Sequence, residues 1–292
     1  MPAAGRTRCA NLCADNVQIN IETTIMKAMI FAAGLGTRLK PLTDTLPKAL
    51  VPVCGKPLIE HVARKITSAG IDDIVVNVHY FADKIEAWIN EQEWITTDGK
   101  SKGKTRFAIS DERTSLLETG GAILHARSHL EGCGSFLIHN VDILSDCDLP
   151  QFIASQRDEA LATLLVSNRK TSRYFLFNPT DLRLVGWMNT ATGEYLTISP
   201  ETDPAECRAL AFTGIHMMSD KVFALMEEYI KEKQLPGDTA SGTRFPIKDF
   251  YLWAASRKPI YAVEAENLRL IDVGKLDALK PAEEFILSQE NR

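Results

Sequence analysis

Residues 27–39 read Lys-Ala-Met-Ile-Phe-Ala-Ala-Gly-Leu-Gly-Thr-Arg-Leu. The stretch opens with a short apolar run, which has the length of a buried β-strand, and continues into a Gly-x-Gly turn. Glycines let a backbone approach an anion closely and expose its N–H groups, while Arg38 and, ten residues later, Lys48 add positive charge. These residues predict a strand followed by a turn that cradles a triphosphate.

Two common nucleotide-binding motifs do not fit this turn. Leu39 stands where the dinucleotide-binding fingerprint needs a third glycine for helix–strand packing. A P-loop needs Gly-Lys-Ser/Thr at a fixed spacing, which the turn lacks. Taken alone, the glycines also fit an ordinary strand and turn with a surface arginine, so the interpretation depends on the wider sequence.

The wider sequence extends the pattern at fixed spacing. Residues 31–43 read Phe-Ala-Ala-Gly-Leu-Gly-Thr-Arg-Leu-Lys-Pro-Leu-Thr, and residues 46–53 read Leu-Pro-Lys-Ala-Leu-Val-Pro-Val. Shorter patches follow in order, namely Glu118-Thr119-Gly120-Gly121-Ala122, Asn140-Val141-Asp142, Phe212-Thr213-Gly214-Ile215 and Asp272-Val273-Gly274. Together they resemble the sugar-1-phosphate nucleotidyltransferases, which make nucleotide sugars, over about residues 27–279. Compact members of that family include N-acetylmuramate-1-phosphate uridylyltransferases and mannose-1-phosphate guanylyltransferases.

The resemblance implies an α/β fold, with a three-layer, Rossmann-like, mostly parallel sheet of the nucleotide-diphospho-sugar transferase type. Alternating strand-like and helix-like patterns along the chain favour the same class. The strand candidates are residues 27–33, 74–78, 105–110, 135–139, 162–167 and 210–217, with a hairpin formed by 181–189 and 195–199. The helix candidates are 58–69, 82–92, 120–129 and 221–232, and residues 234–243 are predicted to be a mobile loop.

The domain organisation follows from these patterns. Residues 1–25 have no apolar core typical of a secretory signal and directly precede Met26, so we expect an N-terminal extension outside the fold. Residues 26–292 are predicted to form a single nucleotidyltransferase catalytic domain. The sequence has no hexapeptide array, which argues against the β-helix that some relatives append.

Composition limits the functions that the chain can have. A net charge of −5 without a dense Lys/Arg block argues against nucleic-acid binding. No apolar run approaches the roughly 20 residues that span a bilayer, which argues against a membrane protein. Six scattered cysteines favour reduced thiols and a cytoplasmic enzyme. We expect a monomer or homodimer.

Two carboxylates are candidate ligands of a metal ion. Asp142 and Asp272 each follow an apolar, strand-like stretch, and an open α/β sheet places ligands at the carboxyl ends of its strands. Carboxylate oxygens suit Mg²⁺. Each aspartate also fits a helix N-cap. Relatives usually have Gly-Asp where this chain has Val141-Asp142, and a β-branched side chain narrows the space beside the metal.

The resemblance also implies roles for individual residues. Arg38, Lys48 and Asp142 are the expected catalytic residues, with Lys48 on the nucleotide phosphates and Arg38 on the departing pyrophosphate. The expected nucleotide-binding residues are Ala32, Ala33, Gly34, Gly36, Thr37, Glu118, Gly120 and Gly121, and the glycine pair equally fits a plain helix start. The expected sugar and phosphate contacts are Asn140, Arg173, Thr213, Gly214 and Lys248.

The function that the resemblance implies is Mg²⁺-dependent transfer of a nucleoside monophosphate from an NTP to a sugar 1-phosphate, giving an NDP-sugar and pyrophosphate. Such a reaction needs alignment and charge neutralisation more than general bases, because a sugar phosphate is already ionised. Two alternatives stay open: a choline-phosphate-type cytidylyltransferase, and a catalytically silent relative that binds nucleotide sugars and regulates. Neither the base nor the sugar is fixed by the sequence.

Overall fold

The computed structural model describes residues 26–92, 105–238 and 242–290; the predicted extension 1–25 lies outside them. The strands are β1 (Lys27–Phe31), β2 (Pro52–Val53), β3 (Lys56–Pro57), β4 (Asp73–Val78), β5 (Arg106–Asp111), β6 (Ser135–Asn140), β7 (Ile143–Ser145), β8 (Ala162–Ser167), β9 (Arg173–Phe177), β10 (Leu184–Asn189), β11 (Glu194–Thr197), β12 (Arg208–Ser219), β13 (Gly237–Asp238), β14 (Gly242–Thr243), β15 (Ile260–Glu264) and β16 (Leu270–Asp272).

The helices are α1 (Leu58–Ser68), α2 (Ala82–Glu91), α3 (Glu118–His125), α4 (Arg127–Leu130), α5 (Leu149–Ala154), α6 (Val222–Lys233), α7 (Ile247–Ala255) and α8 (Leu279–Glu290). Short 3₁₀ turns fill the connection after β1, at Thr37–Leu39, Leu42–Asp44 and Lys48–Leu50. Within the three described ranges, no helix has the length and apolar character needed to cross a bilayer.

The central sheet has the strand order β5-β4-β1-β6-β12-β8-β15. Every neighbouring pair outside β12 is parallel, and β12 runs antiparallel to both β6 and β8. A mostly parallel sheet of the predicted α/β class is therefore confirmed. The interior strand β1 is buried on both faces, which explains its uninterrupted apolar sequence.

Helices cover both faces of this sheet, as a three-layer fold requires. From β1, Met29 packs into one hydrophobic core, while Ala28 and Ile30 pack into the other. The first core also contains Phe223 of α6 and the second contains residues of α1 and α8. Successive side chains of a strand point to opposite faces, so β1 supplies both cores.

A smaller antiparallel sheet extends the central sheet. The amino-terminal end of β12 leaves the central sheet and pairs with β9, and β9, β10 and β11 follow as an antiparallel meander. The bend lies in the register shift between Phe212 and His216, where Gly214 has φ +85°. A glycine suits this position because other residues avoid positive φ. The predicted hairpin is β10–β11.

The predicted elements are present with modest differences at their ends. The first strand stops at Phe31 instead of residue 33, because Ala32 leaves the ladder and bonds a side chain. The helix predicted over residues 120–129 is two helices, α3 and α4, with Ala126 between them. The predicted loop 234–243 includes the paired strands β13 and β14, and residues 239–241 lie outside the described part.

Candidate active site

The carboxyl ends of β1, β4 and β5 are joined by one chain of hydrogen bonds. Ala32 N donates to Asn77 Oδ1 at 2.7 Å, and Asn77 Nδ2 donates to Glu112 Oε1 at 2.7 Å. Leu117 N donates to the other Glu112 oxygen at 3.1 Å. Glu112 is 1% exposed, and this burial raises the pKa of its carboxyl group. These hydrogen bonds fix the backbone that follows β1 against the ends of β4 and β5.

A cavity of about 250 Å³ opens over this network. The predicted residues that line it are Ala32, Ala33, Gly34, Lys48, Glu118, Asn140 and Asp142, and Asn77, Glu112, Leu116 and Thr119 line it as well. Phe31 and Val141 complete the wall. The structure therefore brings the end of the first strand and the start of α3 to one concave site, although they are distant in sequence.

An ion pair lies at the bottom of this cavity. Lys48, in a 3₁₀ turn and only 9% exposed, donates through Nζ to Asp142 Oδ2. Asp142 directly follows Val141 at the end of β6. Gly36 lies beneath the lysine: with φ +63°, its added Cβ would be 2.9 Å from Thr43 Cγ2 and 3.1 Å from Lys48 Cβ. Gly36 thus supports the position of Lys48.

Asp272 is brought next to Asp142 by a two-stranded ribbon, β7–β16. Asp272 pairs with Ile143 in that ribbon, and Val273 N donates to Asp142 O at 2.8 Å. Partial desolvation and then the charge of Asp142 raise the pKa of Asp272, while Lys48 and Arg38 act in the opposite direction. Two carboxylates and two cations therefore share one electrostatic environment.

Gly274 packs against the side chains of both Arg38 and Asp272. A Cβ added at Gly274 would lie 2.8 Å from Arg38 Nη2 and 2.8 Å from Asp272 Oδ1. Only a residue without a side chain leaves room for both groups. The Arg38 guanidinium is thereby held on the same side of the site as the carboxylates.

The two aspartates form the candidate metal site. Among the described residues, no group of three or more His, Cys, Asp and Glu side chains is placed to hold an ion. A structural zinc ion prefers four protein ligands, whereas Mg²⁺ is commonly bound by one or two carboxylates together with substrate phosphates. The donors present, Asp142 and Asp272, fit Mg²⁺ bound jointly with a phosphorylated substrate.

A second, larger cavity of about 840 Å³ extends from Asp272 toward the small sheet. Its cationic residues are Arg38, Arg169, Arg173 and Lys248, and its aromatic residues are Tyr174, Phe175, Trp187 and Phe212. Lys248 Nζ lies 4.3 Å from the Trp187 ring centroid and 2.9 Å from Asp249 Oδ1. Arg169 Nη2 donates to Phe212 O at 3.1 Å. This cavity suits a large anionic ligand that presents both polar and apolar surface.

The geometry can be compared with known proteins. Residues 27–289 match the family model described as "Nucleotidyl transferase". The chain belongs to this nucleotidyl transferase family. Its match covers all the residues that line the two cavities.

Individual relatives match over different lengths. An N-acetylmuramate alpha-1-phosphate uridylyltransferase of Caulobacter vibrioides is 49% identical over 116 residues, which are 39% of this chain and 45% of that protein. Its counterpart from Neisseria meningitidis serogroup B is 44% identical over 124 residues, 42% of this chain and 49% of that protein. These matches thus span less than half of either relative. A UTP–glucose-1-phosphate uridylyltransferase of Synechocystis is 28% identical over 276 residues, 91% of this chain and 64% of that protein.

Solved structures share the fold. A UDP-glucose pyrophosphorylase complexed with UDP-glucose superimposes with a TM-score of 0.68 at 19% identity, covering 91% of this chain and 99% of that one. HddC from Yersinia pseudotuberculosis, complexed with GMP-PN, gives a TM-score of 0.62 at 22% identity, covering 89% and 99%. At these identities the likeness establishes the fold alone.

The glycine pair of α3 is not on the wall of either cavity. Gly120 N and Gly121 N donate to Phe245 O at 2.9 and 3.1 Å. A Cβ added at Gly121 would be 2.2 Å from Thr243 O, and one at Gly120 would be 2.3 Å from the Phe245 ring. The pair permits close packing of the chain against Thr243 and Phe245, which does not support their prediction as nucleotide contacts.

Three further predicted contacts are not in the lining of either cavity. Thr213 is 1% exposed, and its Oγ1 donates to Leu165 O at 2.8 Å, so this side chain belongs to the core. Gly214 lies against Asn140, because an added Cβ would be 2.6 Å from Asn140 Nδ2. Gly214 thus contacts Asn140, which lines the first cavity, and does not line the cavity itself. Thr37 is exposed and outside the lining of both cavities.

Sequence reasoning missed several residues of the site. Glu112 directly follows β5 at the edge where Asn140 ends β6, so a rule that examines polar residues at strand ends would have found it, as the same rule finds Asn77 near the end of β4. Arg169 and Trp187 gave no such signal, because Arg169 lies in the connection between β8 and β9 and Trp187 reaches the cavity through the antiparallel pairing of β10 with β9.

Proposed function

We propose that this protein transfers a nucleoside monophosphate from an NTP to a sugar 1-phosphate, giving an NDP-sugar and pyrophosphate. The observation that carries the proposal is the position of two neighbouring carboxylates, each of which lines one of the two cavities. Asp142 lines the first cavity and Asp272 the second, and the Val273–Asp142 backbone hydrogen bond holds them together. A nucleotide in the first cavity and a sugar phosphate in the second would meet at these groups.

The reaction needs no general base in this arrangement. An ionised oxygen of the sugar 1-phosphate attacks the α-phosphorus of the NTP and forms a new P–O bond. The bond from the α-phosphorus to the bridging oxygen breaks, and pyrophosphate leaves with the electron pair. Because no proton moves, the protein contributes alignment and neutralisation of charge.

The cationic residues take different parts in that neutralisation. Lys48, buried beside Asp142, is positioned for the phosphate that reacts. Arg38, held against Gly274, is positioned for the departing pyrophosphate, and its planar fork of donors suits two phosphate oxygens. Asp142 and Asp272 would hold Mg²⁺, whose chemistry when bound is Lewis-acid stabilisation of charge on the phosphates.

The substrate pair that we favour is UTP with an N-acetylmuramate-type sugar 1-phosphate. Two relatives bear that activity in their names. The larger cavity carries Arg169 and Arg173 in addition to Arg38 and Lys248, and these charges fit a sugar that has a carboxylate as well as its phosphate. The same charges disfavour the quaternary ammonium group of phosphocholine.

A pyrophosphate-release screen tests the proposal. UTP, GTP, CTP and dTTP are crossed with N-acetylmuramate, N-acetylglucosamine, glucose and mannose 1-phosphates and with phosphocholine, in the presence of Mg²⁺. We expect the highest kcat/KM for UTP with N-acetylmuramate 1-phosphate. Turnover only with GTP and mannose 1-phosphate, or only with CTP and phosphocholine, would replace the substrate assignment; binding without turnover by any pair would support a regulatory relative.

A further inference from the structure

A third cavity, of about 290 Å³, is lined in part by β7 and shares no lining residue with the two cavities of the site. Its walls come from α1, β7 and the carboxyl-terminal part of α8. Apolar side chains, including Ile143, Phe285 and Ile286, form part of the surface. The polar side chains of the lining that can donate hydrogen bonds are His61, Lys65, Ser145 and Gln289, and Asp146 is its carboxylate.

Lys65 is the cationic group of this cavity. Its Nζ donates to Ser145 O at 2.9 Å and to Cys147 O at 2.7 Å, so two of its three N–H groups are paired, both with neutral carbonyls. Burial lowers the pKa of the Lys65 ammonium. A partly buried cation whose hydrogen bonds go to carbonyls would be stabilised further by a negative charge beside it, in addition to the more distant carboxylates of Asp146 and Asp148.

Two other polar side chains line the cavity without a partner among the described residues. They are the hydroxyl Oγ of Ser145, a residue only 7% exposed, and Nε2 of Gln289. Buried polar atoms in proteins are nearly always hydrogen-bonded, so unpaired ones need an explanation. A hydroxyl, an amide and an ammonium that line one small cavity form a set of donors for a single acceptor.

The remaining polar groups of the cavity already have partners. Asp146 accepts from Arg269 N and Arg269 Nε, each at 2.9 Å. His61 Nε2 lies 2.9 Å from Val53 O. The carboxylate that lines the cavity is thus neutralised by an arginine, and the charge left over is the positive charge of Lys65.

We propose that this cavity binds a small anion, a compound with a phosphate or carboxylate group, between Lys65, Ser145 and Gln289. The anionic group accepts hydrogen bonds from the three side chains, and an apolar portion of the ligand packs against Phe285 and Ile286. Free inorganic phosphate and a carboxylate share this chemistry, so both serve as probes.

The position of the cavity connects it to the site. Ser145 is in β7, which begins one residue after Asp142, and Asp272 of β16 pairs with Ile143 of β7. A ligand that holds β7 also restrains the strand that carries Asp272. Backbone protection in both strands is therefore a consequence of binding that does not depend on the proposed reaction.

Hydrogen exchange with mass spectrometry on the full chain locates the anion. Protection is followed against increasing inorganic phosphate, then acetate, with chloride at equal ionic strength as the reference. We expect phosphate or acetate, but not chloride, to protect residues 143–147, 270–272 and 285–289. Lys65→Met should raise the half-saturating concentration about tenfold, the effect of losing one charge-assisted hydrogen bond.

Two variants keep the test decisive. Ser145→Ala removes the unpaired hydroxyl without changing charge, so it should weaken protection even if Lys65→Met folds poorly. Lys258→Met removes the charge of an exposed lysine elsewhere and should leave protection unchanged. Protection confined to residues 32–38, no protection at all, protection that both Lys65→Met and Ser145→Ala retain, or an equal loss in Lys258→Met would each overturn the proposal.

Discussion

Replacing Gly274 with alanine is expected to remove catalytic efficiency while leaving the fold intact. The added Cβ would lie 2.8 Å from Arg38 Nη2 and 2.8 Å from Asp272 Oδ1, and both obstacles are the ends of side chains. Gly274 is not among the glycines with positive φ, so the backbone accepts alanine. The side chains will therefore move away, and Arg38 will leave the position proposed for pyrophosphate.

The size of the effect follows from the interaction that is lost. A hydrogen bond to a charged group contributes about 1.5–3 kcal/mol, which corresponds to about a 10- to 150-fold decrease in kcat/KM. The free energy of unfolding should change by less than about 1 kcal/mol, because alanine at a compatible glycine position restricts the unfolded chain. Initial rates of pyrophosphate release and urea denaturation measure the two quantities separately.

Gly70→Ala is the matched control for this prediction. Gly70 has φ +86° and nothing within 4 Å of an added Cβ, so alanine there strains the backbone without contacting the site. This variant should lose about 1–2 kcal/mol of stability and keep its kcat/KM. If Gly274→Ala has wild-type kcat/KM and wild-type inhibition by pyrophosphate, the position assigned to Arg38 is wrong.

Three other predictions concern charge, packing and pH. Arg38→Ala should weaken product inhibition by pyrophosphate more than it raises the KM of the sugar phosphate, and Arg38→Lys should restore little, because the planar fork is lost; steady-state inhibition patterns decide this. Gly121→Ala should lower the free energy of unfolding by more than 2 kcal/mol in urea titrations, since its Cβ would lie 2.2 Å from the backbone oxygen of Thr243, and an intact variant would remove the packing role of the glycine. Burial lowers the pKa of His139 from 6.5 to about 4 and that of His216 from 6.5 to about 3, so the unfolded chain binds more protons than the folded one below pH 6.5. The free energy of unfolding should therefore fall by about 2 kcal/mol per histidine when the pH is lowered from 7.5 to 5. Equal urea midpoints at the two pH values would contradict this.

Sequence patterns predicted the strands and turns whose conformation depends on neighbouring residues in the sequence. The apolar run of β1 and the glycines after it specified a strand that enters a turn, and the structure has both. The end of that strand was placed two residues too late, because the hydrogen bond from Ala32 to Asn77 depends on a neighbouring strand that is distant in sequence. The break at Ala126 was not predicted, because one helix was expected over residues 120–129.

The residues of the candidate site also fall into those that the sequence indicates and those that only tertiary packing places there. Lys48, Asp142 and Asp272 were found because motif residues and strand ends carry a signal in the sequence. Gly120 and Gly121 have the residue type that approaches ligands, but only the packed position of Phe245 shows that the close neighbour is protein. The larger cavity was mostly beyond prediction, because antiparallel pairing of β9, β10 and β12 determines which side chains face it.

We propose that Asp142 and Asp272 support nucleotidyl transfer with Mg²⁺ and phosphates, and the Mg²⁺ dependence of pyrophosphate release by Asp142→Asn tests this most directly. Asparagine keeps the shape of the side chain and removes the charge that the metal requires. We predict a loss in kcat of roughly a hundredfold or more at saturating Mg²⁺, because a metal-bound carboxylate stabilises transition-state charge by several kcal/mol. The variant should still fold, with a lower midpoint in urea because Lys48 loses its charged partner. Near-normal kcat in Asp142→Asn at saturating Mg²⁺ would contradict the proposal.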